Sequence, residues 1–387
     1  MAASEFAAGT RLGWLTERRP RWVEILEQLV VLESPSGDRA RLRAVSEAVR
    51  DLAAALFAPE ELEIVEEFGV PAVRAHMGAG EGPATLLLCH LDTVWEVGAF
   101  QPLYQEADGR ASGPGVFDMK GGVVIALAAL AALRALGPGE VRATLLCTGD
   151  EELGSAGSRA LIEAEARKAG AVLVLEAPAG TAVKVARKGV GTYHLRMKGR
   201  AAHAGLEPER GVNAVVELAS LIPQVAALAR PDHGTTVTPT VFQGGGRVNV
   251  VPAAAELQVD VRFATFAEAD RVDRAMRSLV AADPEATMTV GGGPNRPPME
   301  RGASRDLFKV AAREAAELGL PALEGTSVGG GSDGNFTAAL GIPTLDGMGI
   351  VGGNAHAAGE WAETSSIAPR AALVAGLVRA ISEGALG

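Results

Sequence analysis

Only two cysteines, Cys89 and Cys147, occur in a chain of 387 residues, and both lie inside apolar runs. Two thiols cannot build a disulfide framework, and in such runs they read as small buried hydrophobes of a reducing compartment. Runs of Lys or Arg are equally absent: 36 basic residues face 47 acidic ones, a formal charge of −11. This excludes the basic stripe that holds a phosphate backbone, so nucleic acid is not an expected partner. An acidic substrate would need positive charge concentrated locally inside a site. Apolar stretches such as 123–133 fall short of the roughly 20 residues that cross a bilayer. The first twenty residues mix Glu5, Arg11, Glu17, Arg18 and Arg19, with no apolar stretch before a small-residue cleavage site. The expectation is therefore a cytoplasmic protein with no membrane partner.

What is present is enough chain and apolar content, 48%, for two domains. Strand patterns at 61–67, 70–77, 84–90, 141–148 and 171–176 alternate with helical ones at 21–32, 39–57, 120–136 and 155–169. This predicts an α/β domain, and the near-continuous apolarity of 84–89 predicts a central strand buried on both faces. From Gly189 the pattern changes, because 193–198 alternates apolar and polar as a sheet with one wet face would. A helix at 213–228, strands at 235–243 and 256–263, a helix at 268–281 and a strand at 287–291 complete the order β-α-β-β-α-β, the ferredoxin-like arrangement. A helix at 304–318, a strand at 342–345 and a helix at 369–382 then resume the first style. The reading is a catalytic domain of 1–189 and 297–387 interrupted by an inserted domain at 190–296. The Gly triplets at 244–246, 291–293 and 329–331 read as loops.

Polar residues that such strands do not need cluster at their C-terminal ends, where open α/β sheets bind ligands. His90 and Asp92 end one strand, and Asp118 follows in Gly115-Val116-Phe117-Asp118-Met119-Lys120-Gly121-Gly122. Asp150-Glu151-Glu152 and Glu176 end two more, and His356 sits late in the chain. Imidazole and carboxylate in this mixture are the ligand set of zinc and related divalent ions. Residues two apart on an extended segment share a face, so Asp92 can accept the second ring N–H of His90. Glu151 and Glu152, being adjacent, point in different directions, so one can bind metal while the other moves protons.

These motifs, with Ala202-His203-Ala204-Gly205, Asn249, Asp260-Val261-Arg262 and Gly329-Gly330-Gly331-Ser332-Asp333, resemble the M20 metallopeptidases. Within them the glutamate carboxypeptidase (carboxypeptidase G) branch is the nearest likeness, from about residue 20 to the C-terminus. The resemblance implies a zinc-exopeptidase-like domain with an inserted ferredoxin-like dimerisation domain. It implies two zinc ions, or other divalent metals such as cobalt or manganese. Asp118 would bridge them, with His90 and Glu176 completing one site and Glu152 and His356 the other. Three carboxylates against two divalent ions leave one positive charge, which a bridging hydroxide neutralises. Glu151 would be the general base, Asp92 the partner of His90, and His203 would reach the partner's active site across a homodimer. Asn249, Arg262, Lys184 and Arg296 match positions that hold the substrate. The Asp118–Met119 peptide is expected to be cis. Leu91 and the Gly115-Val116-Phe117 lead-in depart from the common pattern without touching a ligand.

The implied function is hydrolysis of the amide bond to a C-terminal amino acid, glutamate first, in peptides or N-acyl conjugates. An N-acyl-amino-acid deacylase of the acetylornithine or succinyl-diaminopimelate type would use the same chemistry. A serine hydrolase is the rival of another class, since Gly330-Gly331-Ser332-Asp333-Gly334 fits a nucleophile elbow with Asp346 and His356 following in order.

Overall fold

In the computed structural model, residues 6–66, 69–79, 84–137 and 140–386 are described. The chain divides into two compact units, one formed by Arg187–Glu300 with Gly329–Gly331 and the other by the rest.

The larger unit is built on a six-stranded sheet in the order Glu61–Val65, Ala72–Met77, Ala143–Thr148, Ala84–His90, Ala169–Val174, Thr344–Leu345. Its centre is parallel: Ala84–His90 runs alongside both Ala143–Thr148 and Ala169–Val174. Every residue of Ala143–Thr148, and all but the first of Ala84–His90, is buried, as their near-continuous apolarity requires. The expected strand at 171–176 ends at Val174, which leaves Glu176 on the loop beyond it. The residue expected to end the first strand, at 67, lies outside the described residues. The segment Val116–Leu136 is long and apolar enough to cross a membrane by length and composition, contrary to the expectation that every apolar stretch is too short. It is nevertheless 94% buried inside the unit, so it is a core helix.

The helix expected at 155–169 is shorter, Arg159–Ala166. Asp150 ties down the turn before it, accepting from Gly157 N, Ser158 N and the Ser158 hydroxyl. Ala8–Glu17 forms a helix that periodicity did not announce, because Gly9 and Gly13 weaken it. It is anchored by buried Arg11, which donates to Glu314 at 2.5 Å and to the Ala372 carbonyl.

The smaller unit is a four-stranded antiparallel sheet, Thr236–Gly244, Ala254–Phe263, Gly189–Lys198, Thr287–Arg296, with helices Ala214–Ala226 and Phe266–Arg277. In chain order this is β-α-β-β-α-β, and burial alternates along Gly189–Lys198 and Ala254–Phe263. Asn213 and Thr265 cap the two helices with their side-chain oxygens. One loop expectation is corrected: Gly291, Gly292 and Gly293 lie within the last strand, opposite His194, Tyr193 and Thr192. Gly292 has φ +76 and a Cβ there would stand 2.1 Å from the Thr192 carbonyl oxygen, so only glycine carries the strand through.

Candidate metal centre

Parallel register brings the polar strand ends together. His90 pairs with Thr148, so Asp150-Glu151-Glu152 emerges beside it. Leu88 pairs with Val174, so Glu176 arrives two residues later on the other side. The helix Gly121–Leu136 starts just after Asp118, and a Cβ on Gly122 would stand 2.0 Å from the Leu175 carbonyl oxygen. That close approach holds Asp118 against the same sheet edge. The Asp118–Met119 peptide is cis, as the resemblance implied.

The side chains form a continuous line. Glu176 Oε1 lies 3.5 Å from His90 Nε2, which lies 3.3 Å from Asp118 Oδ1. Asp118 Oδ2 lies 3.2 Å from His356 Nε2, which lies 3.0 Å from Glu152 Oε1. His356 reaches this position from a left-handed backbone conformation, φ +57. Ligand atoms of His90, Asp118 and Glu152 fall within 4.8 Å of one another, as do those of His90, Glu151 and Glu176. His90 Nε2 and Asp118 Oδ1 are buried and find no hydrogen-bond partner among the described residues. Buried polar atoms without partners are costly, and here they converge with the donor set that a divalent ion prefers, so the residues fit metal.

The electrostatics point the same way. Burial opposes a charge on His90, yet Asp118, Asp92 and Glu176 more than offset it and hold the imidazolium well above its ordinary range. Asp118 and Glu152 push His356 up to about 10. Burial would raise Asp118, but His356 and His90 hold it well below the carboxylate range. Glu152 moves the other way, because burial outweighs its bond to His356. The carboxylates thus draw positive charge into the site, supplied by two imidazolium ions when no metal is bound.

Asp92 does more than expected. The Nδ1 atom of His90 hydrogen-bonds the Asp92 main-chain carbonyl at 3.0 Å, and the carboxylate stands at 3.4 Å. That carboxylate also accepts from Glu151 N and Glu152 N, both at 3.1 Å, and from the Ser36 hydroxyl at 2.8 Å. Asp92 therefore orients both glutamates through their backbone.

Sequence reasoning missed Glu360. Fully buried, it accepts from Gly115 N, Phe117 N, Asp118 N and Trp95 Nε1 at 2.6 to 3.1 Å. The only trace in the sequence is an acid four residues after His356. It fixes the loop that carries the bridging candidate Asp118. Replacing it with Gln turns one acceptor oxygen into a donor that faces N–H groups. Glu360→Gln is expected to weaken metal binding about 10- to 100-fold, read by competition with a chromophoric chelator. Unchanged affinity would show that the loop holds itself. Lys120 was also passed over: burial pushes its ammonium down to about 7 against the pull of Glu360 and Glu33, and it donates to the Leu32 carbonyl.

Of the residues expected to hold substrate, Lys184 lies in the larger unit, its Nζ 4.0 Å from Glu176 Oε2. The others belong to the smaller unit. His203 is exposed and its Nδ1 accepts from Gly205 N and Leu206 N, which leaves Nε2 as the donor of the neutral ring. Asn249 is exposed beside it, its main-chain carbonyl accepting from Ala204 N. Arg262 grips Asp260 with both arms of its fork at 2.9 Å, and Arg296 is buried at the end of its strand. Ser332 is no exposed nucleophile: it is fully buried and its hydroxyl donates directly to Asp346 at 2.6 Å, while His356 engages Asp118 and Glu152. The elbow pattern is a buried turn.

A mixed α/β sheet whose parallel strand ends, with the loops beside them, gather two histidines and several carboxylates into one partly buried cluster defines a metallohydrolase. The family model for peptidase family M20/M25/M40 matches residues 86–380, and the chain belongs to that family. Carboxypeptidase G2 of Pseudomonas sp. is 30% identical over 357 residues, covering 87% of this chain and 85% of that protein. A succinyl-diaminopimelate desuccinylase of Halorhodospira halophila is 31% identical over 252 residues, covering 59% and 65%. The solved structure of Bacillus subtilis YXEP, described as a dinuclear metal-binding peptidase of the M20 family, superposes with a TM-score of 0.70 at 17% identity, covering 95% of this chain and 99% of that one. The chain is thus an M20-type enzyme with the family fold.

Proposed function

We propose that this enzyme uses two divalent ions, zinc first, to hydrolyse the amide bond to a C-terminal amino acid, glutamate first, in small peptides or N-acyl conjugates. The observation that carries it is the line Glu176, His90, Asp118, His356, Glu152, which offers a bridging carboxylate flanked by one imidazole and one carboxylate on each side. Bound there, the ions would supply Lewis acidity toward the scissile carbonyl and a more acidic water. The rest falls to the chain. Asp92 fixes the backbone of Glu151, whose carboxylate shares a 4.8 Å cluster with His90 and Glu176, where it can take a proton from the attacking water and return it to the leaving amine. Lys184, beside Glu176, supplies the positive charge that a substrate carboxylate needs in an acidic protein. Arg262 and Asn249 would clamp the free carboxylate, with substrate displacing Asp260 from the Arg262 fork. The test is turnover across N-acyl-glutamate, N-acetyl-ornithine and succinyl-diaminopimelate. Expected is fastest cleavage of the glutamate conjugates, abolished by chelator and untouched by a serine-directed fluorophosphonate. Faster cleavage of either diamino acid substrate would favour the deacylase reading.

The same reading holds that the enzyme is a homodimer through the inserted unit, with the partner subunit's His203 donating from Nε2 to the developing oxyanion. His203→Ala should then lower kcat on the order of 10²- to 10³-fold. Mixing His203→Ala chains with Glu151→Gln chains should restore part of the activity, because one site of each mixed dimer keeps both groups. Mixed dimers that form yet stay inactive would refute the shared site.

A further inference from the structure

The line of ligand residues has two unlike ends. At the Glu176 end stands a cation, Lys184, 4.0 Å away. At the Glu152 end opens a cavity of about 500 Å³, walled by Val94, Trp95, Val97 and Leu153 together with Glu96 and Glu152. This volume falls within the roughly 300–1,000 Å³ of pockets that bury most of a small molecule.

Three of those wall residues are large apolar side chains left open to solvent: Leu153 is 65% exposed, Val97 50% and Val94 43%. Single exposed hydrophobes are ordinary, but three lining one cavity that shares Glu152 with the metal cluster mark a surface awaiting an apolar ligand. Among the described residues, no Lys, Arg or His lines the cavity. An anionic group entering it would lose water, meet Glu96, and gain no counter-charge from a side chain of the walls. The leaving amino acid carries a carboxylate by definition, so it belongs at the Lys184 end. The acyl half of the substrate is what remains for the other.

We propose that this cavity is the acyl subsite and that it selects uncharged, apolar acyl groups against anionic ones such as succinyl. The assignment rests on the amidohydrolase reading above and deepens it: the acyl chain lies on Leu153, Val97 and Val94, and the scissile carbonyl sits over the ligand cluster.

The experiment compares kcat/KM for N-pentanoyl-, N-acetyl- and N-succinyl-glutamate on the metal-loaded enzyme. Pentanoyl and succinyl are close in length and differ in the charge at the tip. Pentanoyl is expected to exceed acetyl on the order of 10-fold and succinyl on the order of 10²-fold, the scale on which apolar pockets discriminate. Leu153→Lys, and independently Val97→Lys, should each raise the succinyl-to-pentanoyl ratio on the order of 10-fold. That ratio is insensitive to how much of a variant folds or loads metal. Succinyl turnover equal to pentanoyl in the unaltered enzyme, or a ratio that neither substitution moves, overturns the acyl subsite while leaving the amidohydrolase reading intact. Failure to hydrolyse any of the three overturns that reading and the subsite with it.

Discussion

Glu151→Gln is expected to lower kcat by about 10²- to 10⁴-fold while the protein keeps both metals, whereas Glu152→Gln should lose metal. The side chains are neighbours in sequence and their main-chain N–H groups share one acceptor, the Asp92 carboxylate. Their surroundings differ. Glu152 accepts from His356 at 3.0 Å and is buried enough that its carboxyl is pushed up, the environment of a group that needs a cation. Glu151 lies on the other side, sharing a 4.8 Å cluster with His90 and Glu176. Gln preserves size and the possibility of coordination through oxygen but cannot accept a proton at neutral pH. The pair of variants therefore separates proton transfer from ligation, with kcat and metal content by elemental analysis as the readouts. A Glu151→Gln protein that turns over within a few-fold of the unaltered enzyme would remove it as the base. One that loses metal would make it a ligand, which the His90, Glu151, Glu176 cluster also permits.

How much of this was legible in the sequence depends on what kind of interaction leaves a trace. Strand ends did: near-continuous apolarity marked 84–89 as central, and polar residues at the ends of three adjacent strands had to meet once the strands ran parallel. The β-α-β-β-α-β order of the inserted unit was equally plain, because alternation along its strands reports one wet face. Hydrogen bonds from side chains to backbone left no trace. Nothing in the residue types says that Glu360 would accept three main-chain N–H groups of the Asp118 loop, or that Asp92 would spend its carboxylate on the backbone of Glu151 and Glu152. Such partners depend on loop paths that no periodicity encodes. The Gly291–Gly293 strand misled for a related reason: glycine signals a turn until a neighbouring carbonyl is seen to require it.

Removing the metals should abolish turnover and also change how stability depends on pH, and the two histidines set the direction. In the metal-free site His356 is raised from its ordinary 6.5 to about 10 and His90 is raised well above its ordinary value. A histidine whose folded pKa is raised stabilises fully below its unfolded value and loses that contribution as pH climbs through the folded one. Asp118, held well below the carboxylate range, behaves oppositely: its contribution is present above its unfolded pKa near 4 and is lost as pH falls toward the folded value. These three groups together therefore contribute most to the metal-free protein between about pH 4 and 6.5, and their contribution fades from there toward pH 10, while Lys120, lowered to about 7, acts in the opposite direction above that pH. Metal must displace the protons on His90 and His356, so its affinity should rise over that same interval. The gap between the melting temperatures of zinc-loaded and chelator-treated protein is thus expected to widen from pH 6.5 to 9. Zinc titrations at pH 7 in buffers of different ionisation enthalpy should show at least two protons released per chain at saturation, one from each imidazole, with a further one where a bound water becomes hydroxide. A constant gap together with no proton release would mean that the ions bind elsewhere than on these two imidazoles.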